Sequence, residues 1–207
     1  MSEKRQTKRP QAIAAASLPG PAAHGEITLA RPLRLARGRV HEVMGDSPEV
    51  FALAAAARVA GPVLWIALPR DAGSLAPTGL QRFVDPARLI LVVGIDRGEC
   101  LWAAEQALRA RSAPCVILEL KDGPDLRESR RLQIAAEEGG AIGLVLLQGR
   151  ARTSAAETRW RCEALAGEGW EWICIKSKRG APGAWRVSWM GNNHAPDLVA
   201  LAASASA

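Results

Sequence analysis

The segment Arg39-Val40-His41-Glu42-Val43-Met44-Gly45-Asp46-Ser47-Pro48-Glu49-Val50-Phe51-Ala52 decides the fold. Arg39–Met44 has the character of a short strand and stops at Gly45. Pro48 suits the first turn of a helix, because its missing N–H is one that a helix start leaves unpaired anyway. Asp46 or Ser47 is placed to cap that helix, which is expected to run to about Val59. A strand, a tight turn and a helix in immediate succession are the opening move of an α/β sheet.

Outward from this segment the alternation repeats. Gly61-Pro62 breaks the helix, and Val63–Leu68 is a continuous apolar run suited to a strand buried on both faces. Pro69–Gly79 reads as a loop, with a short turn at Leu80–Phe83. Leu89–Val93 is a second buried strand. A helix from about Gly98 to Arg111 follows, with Leu101, Ala104, Glu105 and Leu108 at helical spacing. Cys115–Leu120 is the next strand, and a helix capped near Asp122 or Asp125 runs to Glu138 before Gly139-Gly140 stops it. Ile142–Leu147 is a further strand. That order predicts α/β architecture: a three-layer core with a mostly parallel central sheet and helices on both faces. After Gln148, Gly149–Ala155 is a basic loop. Thr158–Ala164, Glu171–Lys176 and Ala184–Met190 are expected as antiparallel strands at one edge, the last two joined through Lys178–Gly183.

Three regions follow. Residues 1–33 are basic and rich in Ala and Pro, and are expected to be a largely disordered arm. Residues 34–191 form the core, and 192–207 a flexible Ala/Ser-rich tail. The whole net charge of +6 sits in residues 1–39, which hold eight basic and two acidic groups. Such an arm suits nucleic acid or an acidic partner, or serves as a solvated tail. Hydrophobic residues at 48% and charged residues at 23% give an ordinary globular balance. No apolar run reaches the roughly 18 residues of a membrane span. Basic residues before Ala12–Leu18 imitate a secretory leader, but the run is short and Ala-dominated, so a cytoplasmic protein is expected. Cys100, Cys115, Cys162 and Cys174 have no metal-ligand spacing, and Cys115 and Cys174 lie in apolar runs that suit buried thiols. His24, His41 and His194 are scattered, and no metal or cofactor is expected.

A loop that cradles phosphates has the pattern G-x-x-x-x-G-K-[ST]: glycines for backbone approach, Lys for charge, a hydroxyl for Mg²⁺. With Gly45 as the first glycine, Val50 replaces the second, Phe51 the lysine and Ala52 the hydroxyl residue. Asp46 and Glu49 add negative charge where a polyphosphate would lie, a repulsion of about 1–4 kcal/mol. Tight ATP binding and ATPase activity are therefore not expected. Glu119 ends an apolar strand and reads as a capping or solvent-edge carboxylate.

Leu35-Ala36-Arg37-Gly38-Arg39-Val40-His41-Glu42-Val43-Met44-Gly45 resembles the start of the ATPase core of bacterial RecA recombinases, and Pro86–Leu120 continues that similarity. The series is more similar still to the RecA-like ImuA family of inducible-mutagenesis proteins, which also resemble the division inhibitor SulA. The residues that carry this are the Gly38–Val43 opening, Val63–Ile66 with Trp65, Leu101–Glu105, Arg130–Glu137 and Ser154–Arg161. The resemblance spans roughly Arg34 to Trp189. It implies a RecA-like core and an accessory role in the SOS response, in translesion synthesis at damaged DNA. The implied partners are RecA and ImuB, a Y-family-like polymerase relative, with an error-prone replicative-type polymerase indirectly. Departures from RecA fit a partner-binding role. Pro69 and Arg70 stand where the water-activating acid belongs, the DNA-loop region shrinks to Gly149–Ala155, and Gln148 keeps a nucleotide-coupling glutamine without a nucleotide to sense.

Arg150, Arg152, Arg159 and Arg161 lie where the RecA DNA loop would be, and Lys176, Lys178 and Arg179 extend this candidate partner- or DNA-binding patch. A strand over Thr158–Ala164 puts Arg159 and Arg161 on one face and Trp160 on the other. Trp170, Trp172, Trp185 and Trp189 crowd the last quarter, two of them as expected core. Alternatives to the accessory role are a SulA-type inhibitor that binds the tubulin-like division protein, a nucleotide-driven enzyme, and a DNA-binding RecA paralogue.

Overall fold

The computed structural model describes residues 25–72, 77–167, 169–180, 182–189 and 198–202. The chain begins with two short strands, β1 (Glu26–Ala30) and β2 (Leu33–Ala36), paired as an antiparallel hairpin. Next come β3 (Arg39–Gly45), α1 (Pro48–Ala56), β4 (Val63–Ala67) and the four-residue helices α2 (Pro69–Ala72) and α3 (Pro77–Leu80). β5 (Leu89–Val93), α4 (Arg97–Arg109), β6 (Cys115–Leu120), α5 (Leu126–Gly139) and β7 (Ile142–Leu147) complete the alternating part. β8 (Thr158–Ala164), β9 (Trp170–Ser177), β10 (Gly183–Trp189) and β11 (Leu198–Ala202) end it.

Among the described residues, nine strands form one sheet in the order β11-β10-β9-β8-β3-β7-β6-β4-β5. From β8 to β5 all neighbours are parallel, while β9, β10 and β11 continue antiparallel. The fold class is thus α/β, with a mostly parallel sheet and antiparallel strands at one edge. β4, β6 and β7 bury side chains on both faces, which is why they read as unbroken apolar runs. On one face α1 and the β1–β2 hairpin enclose Phe51, Trp65, Ile117, Leu144, Trp160 and Trp172. On the other, α4 and α5 enclose Val40, Ile66, Leu118, Leu132 and Val145.

Local chemistry sets the helix ends. Asp125, one of the two expected caps, forms a capping box with Glu128 at the start of α5. Asp96 caps α4 through the Glu99 N–H. α4 and α5 pack so closely that a Cβ on Gly139 would lie 1.8 Å from the Leu108 carbonyl oxygen.

Four expectations change. Residues 26–30 and the start of β2 lie in the stretch expected as a disordered arm, yet they fold, because Ile27, Leu29, Leu33 and Leu35 alternate inward onto the α1 side of the sheet. Residues 1–24 lie outside the described residues. Within the expected flexible tail, 198–202 pairs with β10, and the remainder of that tail is outside the described residues. β8 is parallel to β3 rather than antiparallel, since residues 148–157 run back past α5, where the Ala155 N–H donates to the Ser129 hydroxyl, to the start of β3, where the Glu157 N–H donates to the Val40 carbonyl. Within the expected 69–79 loop, α2 and α3 each add one helical turn, and 73–76 lie outside the described residues.

Candidate functional site

The turn after β3 lies at the C-terminal ends of the parallel strands, the position where this architecture places ligands. Its backbone is committed to β8. Gly45 has φ +114°, and a Cβ there would lie 2.1 Å from the Cys162 carbonyl oxygen. Ser47 donates to that same oxygen from its backbone N–H at 3.3 Å and from its hydroxyl at 3.4 Å. Asp46 Oδ1 accepts the Ala164 N–H at 2.8 Å. Ser47 occupies the cap position of α1 with no side-chain cap bond, its hydroxyl being used on β8 instead.

Residues 50–52, in the first turns of α1, pack towards the core. Phe51 is fully buried, with its ring centroid 5.2 Å from that of Trp160 and 4.8 Å from that of Trp172. Ala52 is also fully buried, and Val50 is half-buried against the same cluster. The position a phosphate-binding lysine would take is therefore the anchor that fastens α1 to β8 and β9.

The floor of this crevice is acidic. Glu119, expected at a solvent edge, is buried. Trp65 Nε1 donates to its Oε1 at 2.7 Å, while Oε2 is buried without a hydrogen-bond partner among the described residues. Burial pushes the Glu119 carboxyl up to about 7; the Trp65 bond opposes this, and the Glu49 and Asp71 carboxylates add to it. A group titrating there has the range of an acid–base catalyst. The charges that act on it are the Glu49 and Asp71 carboxylates, and Asp71 is itself paired with Arg70 at 3.5 Å.

The seven basic candidates divide into two groups. Arg159 is paired with the buried Glu42 at 2.6 Å and also donates to the Arg152 carbonyl and the Ser154 hydroxyl. Lys176 Nζ donates to the Ser154 carbonyl at 2.8 Å, and Lys178 Nζ to that of Ala155 at 2.6 Å. Burial lowers the Lys176 pKa, and Glu42 opposes the shift. Arg179 lies 3.1 Å from the buried Glu157. These four hold residues 152–157 against the sheet. Arg150, Arg152 and Arg161 have exposed side chains at the same end of the molecule. Arg159 and Arg161 share a face of β8 opposite Trp160, as the strand parity predicts.

Trp172 is core, Trp170 and Trp185 pack against it half-buried, and the Trp189 side chain lies outside the described residues. All four cysteines are buried free thiols. His41 is buried between Thr158 Oγ1 (2.7 Å) and the Ala36 carbonyl (3.0 Å), and burial lowers its pKa to about 4. Sequence reasoning missed Glu42 and Glu157. Both are acids on otherwise strand-like or loop stretches, and only their arginine partners drew notice.

No protein-family model matches the chain. Over 161 residues it is 32% identical to "Protein ImuA" of Caulobacter vibrioides, in strain NA1000 and equally in strain CB 15. The match covers 67% of this chain and 65% of each relative, so the chain spans about two thirds of the length of the curated relatives it matches. On this similarity the chain belongs to the ImuA family.

Proposed function

We propose that this chain is a non-catalytic accessory protein of DNA-damage-induced mutagenesis, acting in translesion synthesis through contacts with RecA, an ImuB-type partner, or both. The observation that carries the reading is the closed turn. Ser47 and Asp46 spend their hydrogen bonds on β8, and Phe51 fills the space of a phosphate-binding cation. A sheet of this kind without a nucleotide cradle has its surface to work with. Exposed Arg150, Arg152 and Arg161 at the crevice end are the contacts we assign to the partner. Family membership supplies the damage-response setting. The setting is the cytoplasm, and among the described residues no helix is long and apolar enough to cross a membrane.

Two measurements test this. Titration calorimetry with millimolar Mg-ATP should give no saturable heat, and single-stranded DNA should stimulate no ATPase. Capture assays against RecA, ImuB and the tubulin-like division protein should retain one or both of the first two, and the triple variant Arg150→Glu, Arg152→Glu, Arg161→Glu should lose them. Retention of the division protein alone would replace this reading with a division inhibitor.

A further inference from the structure

The helical layer carries a second surface feature, on the face away from the β1–β2 hairpin. Between α4 and α5 lies a cavity of about 330 Å³. Gly98, Leu101 and Trp102 of α4 and Leu132 of α5 form its apolar part, and Glu105, Glu128 and Arg131 line it as well. Gly98 and Leu101 sit one turn or less from Trp102, so the absent side chain at 98 leaves the indole flank open. Trp102 is 59% exposed, which is costly for the largest apolar side chain unless something covers it. Ile134, one turn beyond Arg131, is exposed too.

The charges around the groove are layered by depth. Glu105 is held by Arg131 at 2.6 Å and Arg109 at 3.3 Å, and its side chain is 12% exposed against 59% and 41% for the two arginines. Glu128 is held by Arg97, with 25% exposure against 37%. In each pair the carboxylate lies deeper and the guanidinium faces out. Arg127, one turn before Arg131, is exposed and has no ion pair among the described residues. The groove therefore shows an approaching molecule an apolar slot under a cationic rim.

We infer that this groove docks an acidic peptide segment of a partner protein, with one bulky apolar side chain seated against Trp102, Leu101 and Leu132 and its carboxylates on Arg127 and Arg131. The charge complementarity fixes the sign of the partner. The side-chain-sized cavity fixes the anchor, since interface energy concentrates on a buried aromatic or aliphatic group ringed by polar contacts. A nucleic-acid strand fits less well. Arg97, Arg109 and Arg131 are each paired with a glutamate, which leaves too few open cations for the several phosphate contacts that hold a strand. The inference goes beyond the proposed function and stands without it, because the groove lies in the helical layer rather than at the crevice.

The test is fluorescence anisotropy of the full chain with a labelled probe peptide, Gly-Asp-Glu-Asp-Phe-Asp-Glu-Asp. Three competitors are used: the same peptide with Ser for Phe, its Lys-for-acid counterpart, and a twelve-nucleotide oligothymidine. The expected result is saturable, salt-sensitive binding of the Phe peptide alone. Trp102→Ala should weaken it about thirtyfold, the size of a central aromatic anchor, and Arg127→Glu with Arg131→Gln should weaken it at least as much at low salt. Trp102 is an exposed residue, so its variant should keep the wild-type melting temperature, which is checked alongside. Lack of saturation up to about 1 mM, equal binding of the Ser peptide, preference for the oligonucleotide, or unchanged affinity in Trp102→Ala each overturns the inference.

Discussion

Glu119 is the residue with most to say about pH. Its carboxyl titrates at about 7 in the folded chain, against about 4.3 for an unperturbed glutamate. Folding thus favours its protonated form. The contribution of this residue to stability is highest below pH 4.3, falls as pH rises towards 7, and is constant above that. Glu119→Gln keeps an oxygen for the Trp65 N–H and removes the charge. We expect the variant to exceed the wild type by about 1–2 kcal/mol at pH 8 and by about a quarter of that at pH 5. Urea denaturation at the two pH values measures this, and a gap independent of pH would contradict it. Two arginines on one face of β8, two residues apart in sequence, make a similar contrast. Arg159 neutralises the buried Glu42 at 2.6 Å, so Arg159→Ala strands that carboxylate and should cost about 3–5 kcal/mol. Arg161 is exposed, and Arg161→Ala should change stability by less than about 0.5 kcal/mol. Equal melting temperatures for the two variants would refute the assignment.

At the scale of elements, the α4–α5 contact gives a prediction whose sign opposes helix propensity. Alanine is favoured over glycine inside a helix by about 1 kcal/mol. Gly139→Ala should nevertheless destabilise by about 1–3 kcal/mol, because its Cβ would collide with the Leu108 carbonyl and force the helices apart. Denaturation midpoints decide between the two signs. This scale also shows what the sequence made legible. β4, β6 and β7 were plain because burial on both faces demands unbroken apolar runs, and α4 and α5 because one apolar stripe per helix must meet the sheet. The direction of β8 was not legible. It depends on Thr158 lying beside His41, a contact between segments far apart in the chain. The departure of the turn after β3 from a phosphate loop could be read from its residue types. What fills it could not, since Phe51 meets Trp160 and Trp172 only after β8 and β9 are placed. The internal bonds of the basic cluster were not legible for the same reason: Glu42 comes from β3 and the other groups that bind Arg159, Lys176, Lys178 and Arg179 come from residues 152–157, whose path the sequence leaves open.

On the scale of the whole molecule, the β1–β2 hairpin decides where the folding unit begins. The high density of Pro, Gly and Arg before residue 38 suggests an arm, but four alternating apolar side chains outweigh it. Leu29 and Leu35 are fully buried, and Arg58, just past the end of α1, donates to the Leu29 carbonyl at 2.9 Å and 3.2 Å. His41 reaches back to the Ala36 carbonyl, so β3 and the hairpin share a hydrogen bond as well as a core. The hairpin occupies the layer that α4 and α5 occupy on the opposite face, and without it the α1 side of the sheet would stand open to water. Leu29→Ala and Leu35→Ala should therefore each cost about 2–5 kcal/mol, as interior leucines do. Deleting residues 1–36 should go further, giving a broad thermal transition and binding of a hydrophobic dye, the behaviour of a sheet stripped of one cover. A deletion variant that melted as sharply as the full chain would mean that the hairpin is an ornament, and that α1 alone closes its side of the sheet. The same reasoning governs any test of the basic arm as a DNA contact. A truncation through residue 39 removes core together with charge, so a loss of binding after it would report unfolding as readily as lost electrostatics.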